Sequence, residues 1–178
     1  RASARCGQSC CATLARTFGR RMAAALDIPV YLYEAAALHP GRVNLADVRN
    51  IGYEALKTVI DTRERAPDFG PARLTSAGAV AVGARGPLIA FNAYLNTDDV
   101  TVAQAIALAI RASGGGLPHL KALGLLVGGR AQVSMNVIDY RQTSLFEIAA
   151  ALRTEAAKHG AAVTHTELVG LIPQAALL

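Results

Sequence analysis

The sequence predicts an α+β fold whose second half is a β-α-β-β-α-β unit, on three observations. From Gly83 onward, four stretches alternate apolar and polar residues at period two, and two others repeat apolar residues at helical spacing. Gly128-Gly129 separates two of the strand stretches, as a tight hairpin turn with positive φ requires. Ser144 and Glu147 form a capping box just ahead of an apolar stripe, which marks a helix start.

The elements follow in order. Residues 10–26 read as a helix, with Leu14, Phe18, Met22 and Ala25 on one face. Asp27-Ile28-Pro29 ends it, and residues 29–33 read as a strand that opens on proline, a position strands tolerate. Residues 44–57 read as one helix, capped by Asn44 with Asp47 in its first turn. Residues 61–75 carry charges, Pro67, Pro71 and Gly70, and form a loop long enough to expect a function. Residues 77–82 are a short apolar strand.

The second half then runs strand 88–96, helix 98–112, strand 120–127, strand 131–138, helix 144–158 and strand 162–172. Ser113-Gly114-Gly115-Gly116 breaks the first of these helices, and Gly160 is placed to end the second as a C-cap. This order is the ferredoxin-like split βαβ arrangement. Right-handed crossovers put both helices on one sheet face and the first and third strands in the centre. Ile89, Phe91, Ala93 and Leu95 share a face of one central strand, and Ala131, Val133, Met135 and Val137 a face of the other. The opposite face carries Asn92, Tyr94, Asn96, Gln132, Ser134 and Asn136. Such a face is an ordinary solvated one, or it lines a ligand groove or a sheet–sheet contact.

Composition bounds the function. Of 178 residues, 52% are hydrophobic and 17% charged, enough for a packed core, which excludes a disordered chain. No apolar run reaches the roughly 20 residues of a membrane helix, so no membrane partner is expected. The net charge of +5 suits an anionic ligand. The arginines are scattered, so nucleic acid is not expected; Arg16, Arg20 and Arg21 read as the solvated face of the first helix. Cys6, Cys10 and Cys11 have no metal-site spacing with any histidine, and reduced thiols in a cytoplasmic protein are expected, with no metal. The chain opens on Arg1 rather than Met, and residues 1–9 show no clear period, which reads as a fragment, a processed chain or a misplaced start.

A set of colinear blocks resembles the formiminotransferase domain of the glutamate formimidoyltransferase and formiminotransferase-cyclodeaminase family. They are Pro29-Val30-Tyr31-Leu32-Tyr33-Glu34-Ala35-Ala36, Asn44-Leu45-Ala46-Asp47-Val48-Arg49, Tyr53-Glu54-Ala55-Leu56, Ala66-Pro67-Asp68-Phe69-Gly70-Pro71 and the run from Gly78 to Gly83-Ala84-Arg85. Ile89-Ala90-Phe91-Asn92, Leu95-Asn96-Thr97-Asp98-Asp99, Ala131-Gln132-Val133-Ser134-Met135-Asn136 and Glu167-Leu168-Val169-Gly170-Leu171-Ile172-Pro173 continue the match. The resemblance implies two ferredoxin-like subdomains whose sheets face each other across a folate groove. Residues 1–82 would be the tail of an incomplete amino-terminal subdomain and 83–178 the carboxy-terminal one. It implies transfer of a formimino group between N-formimino-L-glutamate and tetrahydrofolate as co-substrate, a reaction of histidine degradation.

The family's folate contacts carry over to the loop of Gly70, Pro71, Ala72, Arg73, Leu74, Thr75, Ser76, Ala77 and Gly78, and to Gly115. The loop is one residue shorter than the family's at Thr75-Ser76, and Ile51-Gly52 stands where the family has Gly-Glu. The family's Asn-Phe-Ser-Glu-Gly and Gly-Glu-His-Pro-Arg-Met-Gly segments do not occur in this sequence, and the second carries the catalytic histidine. Transfer needs a group that accepts a proton from the attacking folate nitrogen and protonates the departing glutamate nitrogen, a role that suits histidine. His39 falls in a loop, His119 before a strand and His159 at a helix end; only His165 falls in the last strand, near the groove. An isolated strand histidine is more often a hydrogen-bonded structural residue, so none is assigned catalysis.

The expected function is therefore that of an inactive, N-terminally truncated enzyme fragment. A non-catalytic folate-binding or protein-interaction module is the alternative. Incomplete sheet edges in the first subdomain would favour a homodimer.

Overall fold

The computed structural model describes residues 7–177. The reading of Arg1 to Cys6 as aperiodic lies outside them. The described residues form two compact units that meet in sequence between Arg85 and Gly86.

The first unit begins with helix α1 (Gln8–Leu26), which starts two residues earlier than expected and ends where Asp27 turns left-handed at φ 50. The stripe expected to pack is not the one that packs. Leu14 and Phe18 are exposed, and the helix instead buries Ala12, Gly19 and Ala23. Small residues let α1 approach the sheet closely: a Cβ on Gly19 would stand 3.2 Å from Val30 Cγ1. Arg16 lies on this inner stripe rather than on a solvated face, and its Nε donates to the Ala36 carbonyl at 3.0 Å. Cys10 is disulfide-bonded, which overturns the expectation of reduced thiols at that position.

Strand β1 (Val30–Glu34) pairs in parallel with β2 (Val80–Ala84), register Val30 to Val80. The core beneath α1 is Ala23, Ile28 and Val30, with Met22, Phe69, Val80 and Val82 packed against it. The single helix expected over 44–57 is two short ones, α2 (Leu45–Arg49) and α3 (Gly52–Val59). Asn44 caps α2 as expected, its side chain accepting from the Ala46 N–H. Gly52 takes φ +71, a left-handed value through which an α-helix cannot continue.

The second unit is the split βαβ sheet. Strands β3 (Ile89–Leu95), β4 (Leu120–Val127), β5 (Arg130–Val137) and β6 (Val163–Val169) order as β4-β5-β3-β6, with every neighbouring pair antiparallel. The first and third strands of the unit are central, as expected. Helices α4 (Val100–Ile110) and α5 (Leu145–Lys158) cover one face. Ile89, Ala93, Leu95, Val133, Met135 and Val137 pack there against Ile106, Ile110, Ile148 and Leu152. Seventeen CH-rich side chains of this kind in one cluster, at about 25 cal/mol per Å² of apolar surface, make this the main energetic centre of the unit.

Local chemistry sets the boundaries. Asp99 caps α4 by accepting from Thr101 N at 2.8 Å. The Ser144–Glu147 capping box is formed in both directions. After α5, the Gly160 N–H bonds to Ala157 O at 3.1 Å and the Ala161 N–H to Ala156 O at 3.0 Å, the paired bonds of a Schellman stop. Gly128 and Gly129, at φ +57 and +76, make the hairpin turn. The last strand is shorter than expected because Gly170 turns at φ +86 and Leu171 points wholly into solvent.

Candidate functional site

In the first unit, the loop expected to contact a ligand follows α3, passes alongside Val30 of β1 and leads into β2. Its base is pinned to β1: Val30 N–H bonds to Phe69 O at 2.9 Å and Asp68 N–H to Val30 O at 2.9 Å. Gly70, at φ +85, is required by a close approach, since a Cβ there would lie 2.2 Å from the Ile28 carbonyl oxygen. Arg73 pairs with Asp27. The loop closes in a turn in which Gly78 N–H bonds to Thr75 O at 3.0 Å and Ala77 N–H to Thr75 Oγ1 at 3.3 Å. Ala72, Arg73, Ser76 and Ala77 are exposed, and Pro71, Leu74 and Thr75 half-buried.

The end of this loop meets a cleft of about 670 Å³ contained in the same unit. A Cβ on Gly78 would touch the ring of Tyr53, one of the cleft's walls, at 3.5 Å. The other walls include Tyr31, His39, Arg42, Arg49, Arg63 and Arg65, against Asp47 and Glu64. The balance of charge is positive and the size falls in the range of ligand pockets.

Beneath the cleft lies a buried network that sequence reasoning missed. Asp68 has no exposed side-chain surface, and its Oδ2 lies 2.8 Å from Arg42 Nη1. Leu32 N–H donates to the same oxygen at 2.7 Å. Arg42 also donates to Ala66 O at 2.6 Å and rests over the Tyr31 ring at 5.1 Å. Tyr31 donates its hydroxyl to Arg65 O at 2.7 Å, and burial pushes its phenol pKa up, partly offset by Arg42. His39 Nε2 stands 3.5 Å from Asp68 Oδ1. The only sequence signal was the Pro67-Asp68-Phe69-Gly70-Pro71 block, in which an acidic residue stands among rigid neighbours.

In the second unit, Gly115 ends the turn after α4. Gly114 and Gly116 are held there by close approach, a Cβ on each falling 1.9 Å and 2.4 Å from backbone atoms of α4. Gly115 differs: it takes φ +85 and nothing lies within 4 Å of a would-be Cβ, so its backbone is open to approach. It belongs to a different unit from Gly70 to Gly78.

The sheet face away from α4 and α5 carries the polar residues expected there. Asn92 Nδ2 donates to Glu167 Oε2 at 3.1 Å across β3 and β6. Next to them, the rings of Tyr94 and His165 stack, centroids 4.5 Å apart and planes 9° from parallel. Gln132 is the exception on this face, being buried. His119 takes a left-handed φ of 56 before β4, and His159 caps α5. Among the described residues, no three His, Cys, Asp or Glu side chains converge as a metal site would need. Among them also, no helix is long and apolar enough to cross a membrane.

Comparison with known proteins adds to this geometry. Residues 4–85 match the family model described as the formiminotransferase domain, N-terminal subdomain, and residues 90–178 match the one described as the formiminotransferase domain. The chain is 43% identical over 172 residues to a glutamate formimidoyltransferase of Thermoplasma acidophilum, covering 94% of this chain and 57% of that protein. It is 39% identical over 171 residues to the glutamate formimidoyltransferase of Streptococcus pyogenes serotype M1, with the same 94% and 57% coverage. It is 39% identical over 177 residues to a formimidoyltransferase-cyclodeaminase of Rattus norvegicus, covering 94% of this chain and 32% of that one. The chain thus spans 57% of the length of the first two relatives.

Proposed function

The chain belongs to the formiminotransferase domain family, and on that premise we propose that it serves folate-dependent transfer of a formimino group between N-formimino-L-glutamate and tetrahydrofolate. In this reaction a folate nitrogen attacks the formimino carbon, a C–N bond forms, and the bond to the glutamate nitrogen breaks. A proton leaves the folate nitrogen and one reaches the departing glutamate nitrogen. No residue of this chain is assigned that proton transfer.

The observation that carries the reading is the colinear match of both subdomains over nearly the whole chain. Geometry supports it at the assigned folate positions. Gly70 to Gly78 form a largely exposed loop of backbone amides beside an arginine-lined cleft, and Gly115 offers open backbone in the second unit. Backbone N–H groups suit the pterin edge, and the arginines suit the carboxylates that folate carries. The same reading places the reaction in the cytoplasm, within histidine degradation. It makes the protein a homodimer, supported by the exposed Leu123, Leu125, Leu126 and Val127 along the edge strand β4.

The test is calorimetry of the 178-residue chain with tetrahydrofolate under anaerobic conditions. Saturable binding that folinic acid competes away is the expected result. Absence of heat and of competition at millimolar ligand would overturn the reading.

A further inference from the structure

The hydrogen-bond arithmetic around Thr164 determines which nitrogen of His165 carries a proton. Thr164 Oγ1 lies 3.1 Å from the carbonyl oxygen of Tyr94 and 3.0 Å from His165 Nδ1. A threonine hydroxyl has one hydrogen and a carbonyl oxygen can only accept. That hydrogen therefore goes to Tyr94, and Oγ1 is left to accept from the imidazole. Nδ1 must carry the ring's hydrogen, and in the neutral ring Nε2 is then a bare acceptor. The stack on Tyr94, with centroids 4.5 Å apart, holds the plane of the ring, and the Thr164 contact sets which edge faces the hydroxyl. The hydroxyl sets the tautomer and the stack sets the orientation, the arrangement in which a histidine's second nitrogen is set by what the first one bonds.

The surroundings say what this acceptor fits. Glu167 lies two residues further along β6 and so on the same sheet face, and its carboxylate is steadied by Asn92 at 3.1 Å. On this one face, a carboxylate and a bare imidazole nitrogen two residues apart along β6 are two acceptors with one negative charge. Their complement is a planar group with two N–H donors on one carbon.

We propose that His165 Nε2, held as an acceptor by Thr164 and Tyr94 next to Glu167, binds the N–H-bearing N–C–N edge of the ligand. Two sources carry that edge: the formimidoyl group of N-formimino-L-glutamate and the pterin ring of a reduced folate. The inference rests on the function proposed above, and it assigns His165 a binding role with no proton transfer.

The test uses the full 178-residue chain with 15N-labelled histidine. In buffer where the His165 ring is neutral, its nitrogen shifts, identified by their loss in His165→Phe, are expected to report the hydrogen on Nδ1. A ring protonated at Nε2 overturns the proposal before any ligand is added. N-formimino-L-glutamate and tetrahydrofolate are then titrated separately, and the one that moves the Nε2 resonance is the source of the edge. His165→Phe keeps an aromatic ring against Tyr94 but has no acceptor, and it is expected to weaken that ligand about tenfold, the scale of one lost hydrogen bond. His165→Gln, which returns an acceptor oxygen, is expected to recover part of the loss. Ligand binding by calorimetry with an unmoved His165 and an unchanged His165→Phe affinity removes this inference and leaves the proposed function standing. No binding of either ligand removes both.

Discussion

Asp68 and Arg42 form an ion pair 2.8 Å apart, with the aspartate side chain wholly shut away from solvent. The pair joins three pieces of chain: Asp68 also accepts from Leu32 N–H on β1, and Arg42 also donates to Ala66 O in the loop. Removing one partner leaves the other charged, buried and unmatched, which typically costs about 3–5 kcal/mol. Asp68→Ala is therefore expected to destabilise the first unit by about 3 kcal/mol. Amide exchange measured by NMR checks it, with the Leu32 N–H expected to exchange much faster. An unchanged Leu32 amide would mean that the pair does not hold the loop.

Gly124 on β4 lies directly under α4. A Cβ there would come within 2.2 Å of Gln104 N and 2.4 Å of the Ala103 carbonyl carbon. These are backbone atoms, so no side chain can swing aside. Gly124→Ala is expected to push α4 off the sheet and cost about 2 kcal/mol, within the range seen for overpacked cores. Urea unfolding followed by tyrosine fluorescence reads it. Gly128→Ala, where a Cβ would meet nothing within 4 Å, separates strain at φ +57 from the clash.

Local signals were legible in the sequence, and closeness of approach was not. In the second unit the alternation along Ile89 to Leu95 and the Ser144–Glu147 box were enough to place strands, helices and their order, because each signal is local. In α1 the same kind of signal misled. Leu14 and Phe18 make the more apolar stripe, yet Ala12, Gly19 and Ala23 face the sheet. Closeness of approach decided the packing face, and closeness is a property of the partner surface that a helical period does not contain. The split between α2 and α3 was missed for a related reason, since Gly52 is tolerated in a helix and only its φ of +71 ends one. For the candidate site, the loop was legible as a loop, but the Asp68–Arg42–Tyr31 network joins residues 26 and 11 positions apart in sequence and leaves no spacing to recognise.

Acid should weaken the second unit first at its helix starts. Thr101 hydrogen bonds hold the Asp99 carboxyl below its ordinary pKa, Ser144 does the same for Glu147, and Gln142 and Arg141 for Asp139. A carboxyl depressed in the folded state contributes stability that is fully present above its unfolded pKa of about 4 and is lost as pH falls through the lower folded value. Stability is thus expected to be flat from neutral pH to about 5 and to fall below about 4. Thermal melts across pH 2–7 check the window, and Glu147→Gln is expected to flatten the acid limb. An identical acid limb in that variant would show that the capping box does not contribute to it.

The folate assignment makes its sharpest demand at glycines that have room. Gly115, at φ +85, and Gly129, at φ +76, share a left-handed backbone and empty space where a Cβ would go. Alanine at either costs backbone strain of about 1 kcal/mol and no clash, so the two variants should be equally destabilised. They differ only in what is assigned to them, because Gly129 sits in the β4–β5 hairpin turn and Gly115 is a proposed folate contact. A methyl group at Gly115 would keep a ligand from closing onto the backbone, whereas one at Gly129 would point into solvent. Gly115→Ala is therefore expected to weaken tetrahydrofolate binding about tenfold, a loss on the scale of one hydrogen bond, with Gly129→Ala unchanged. Calorimetry on both variants, alongside their urea midpoints, separates affinity from stability. Equal affinities for the two would remove Gly115 from the folate site, because the strain they share would then account for everything observed.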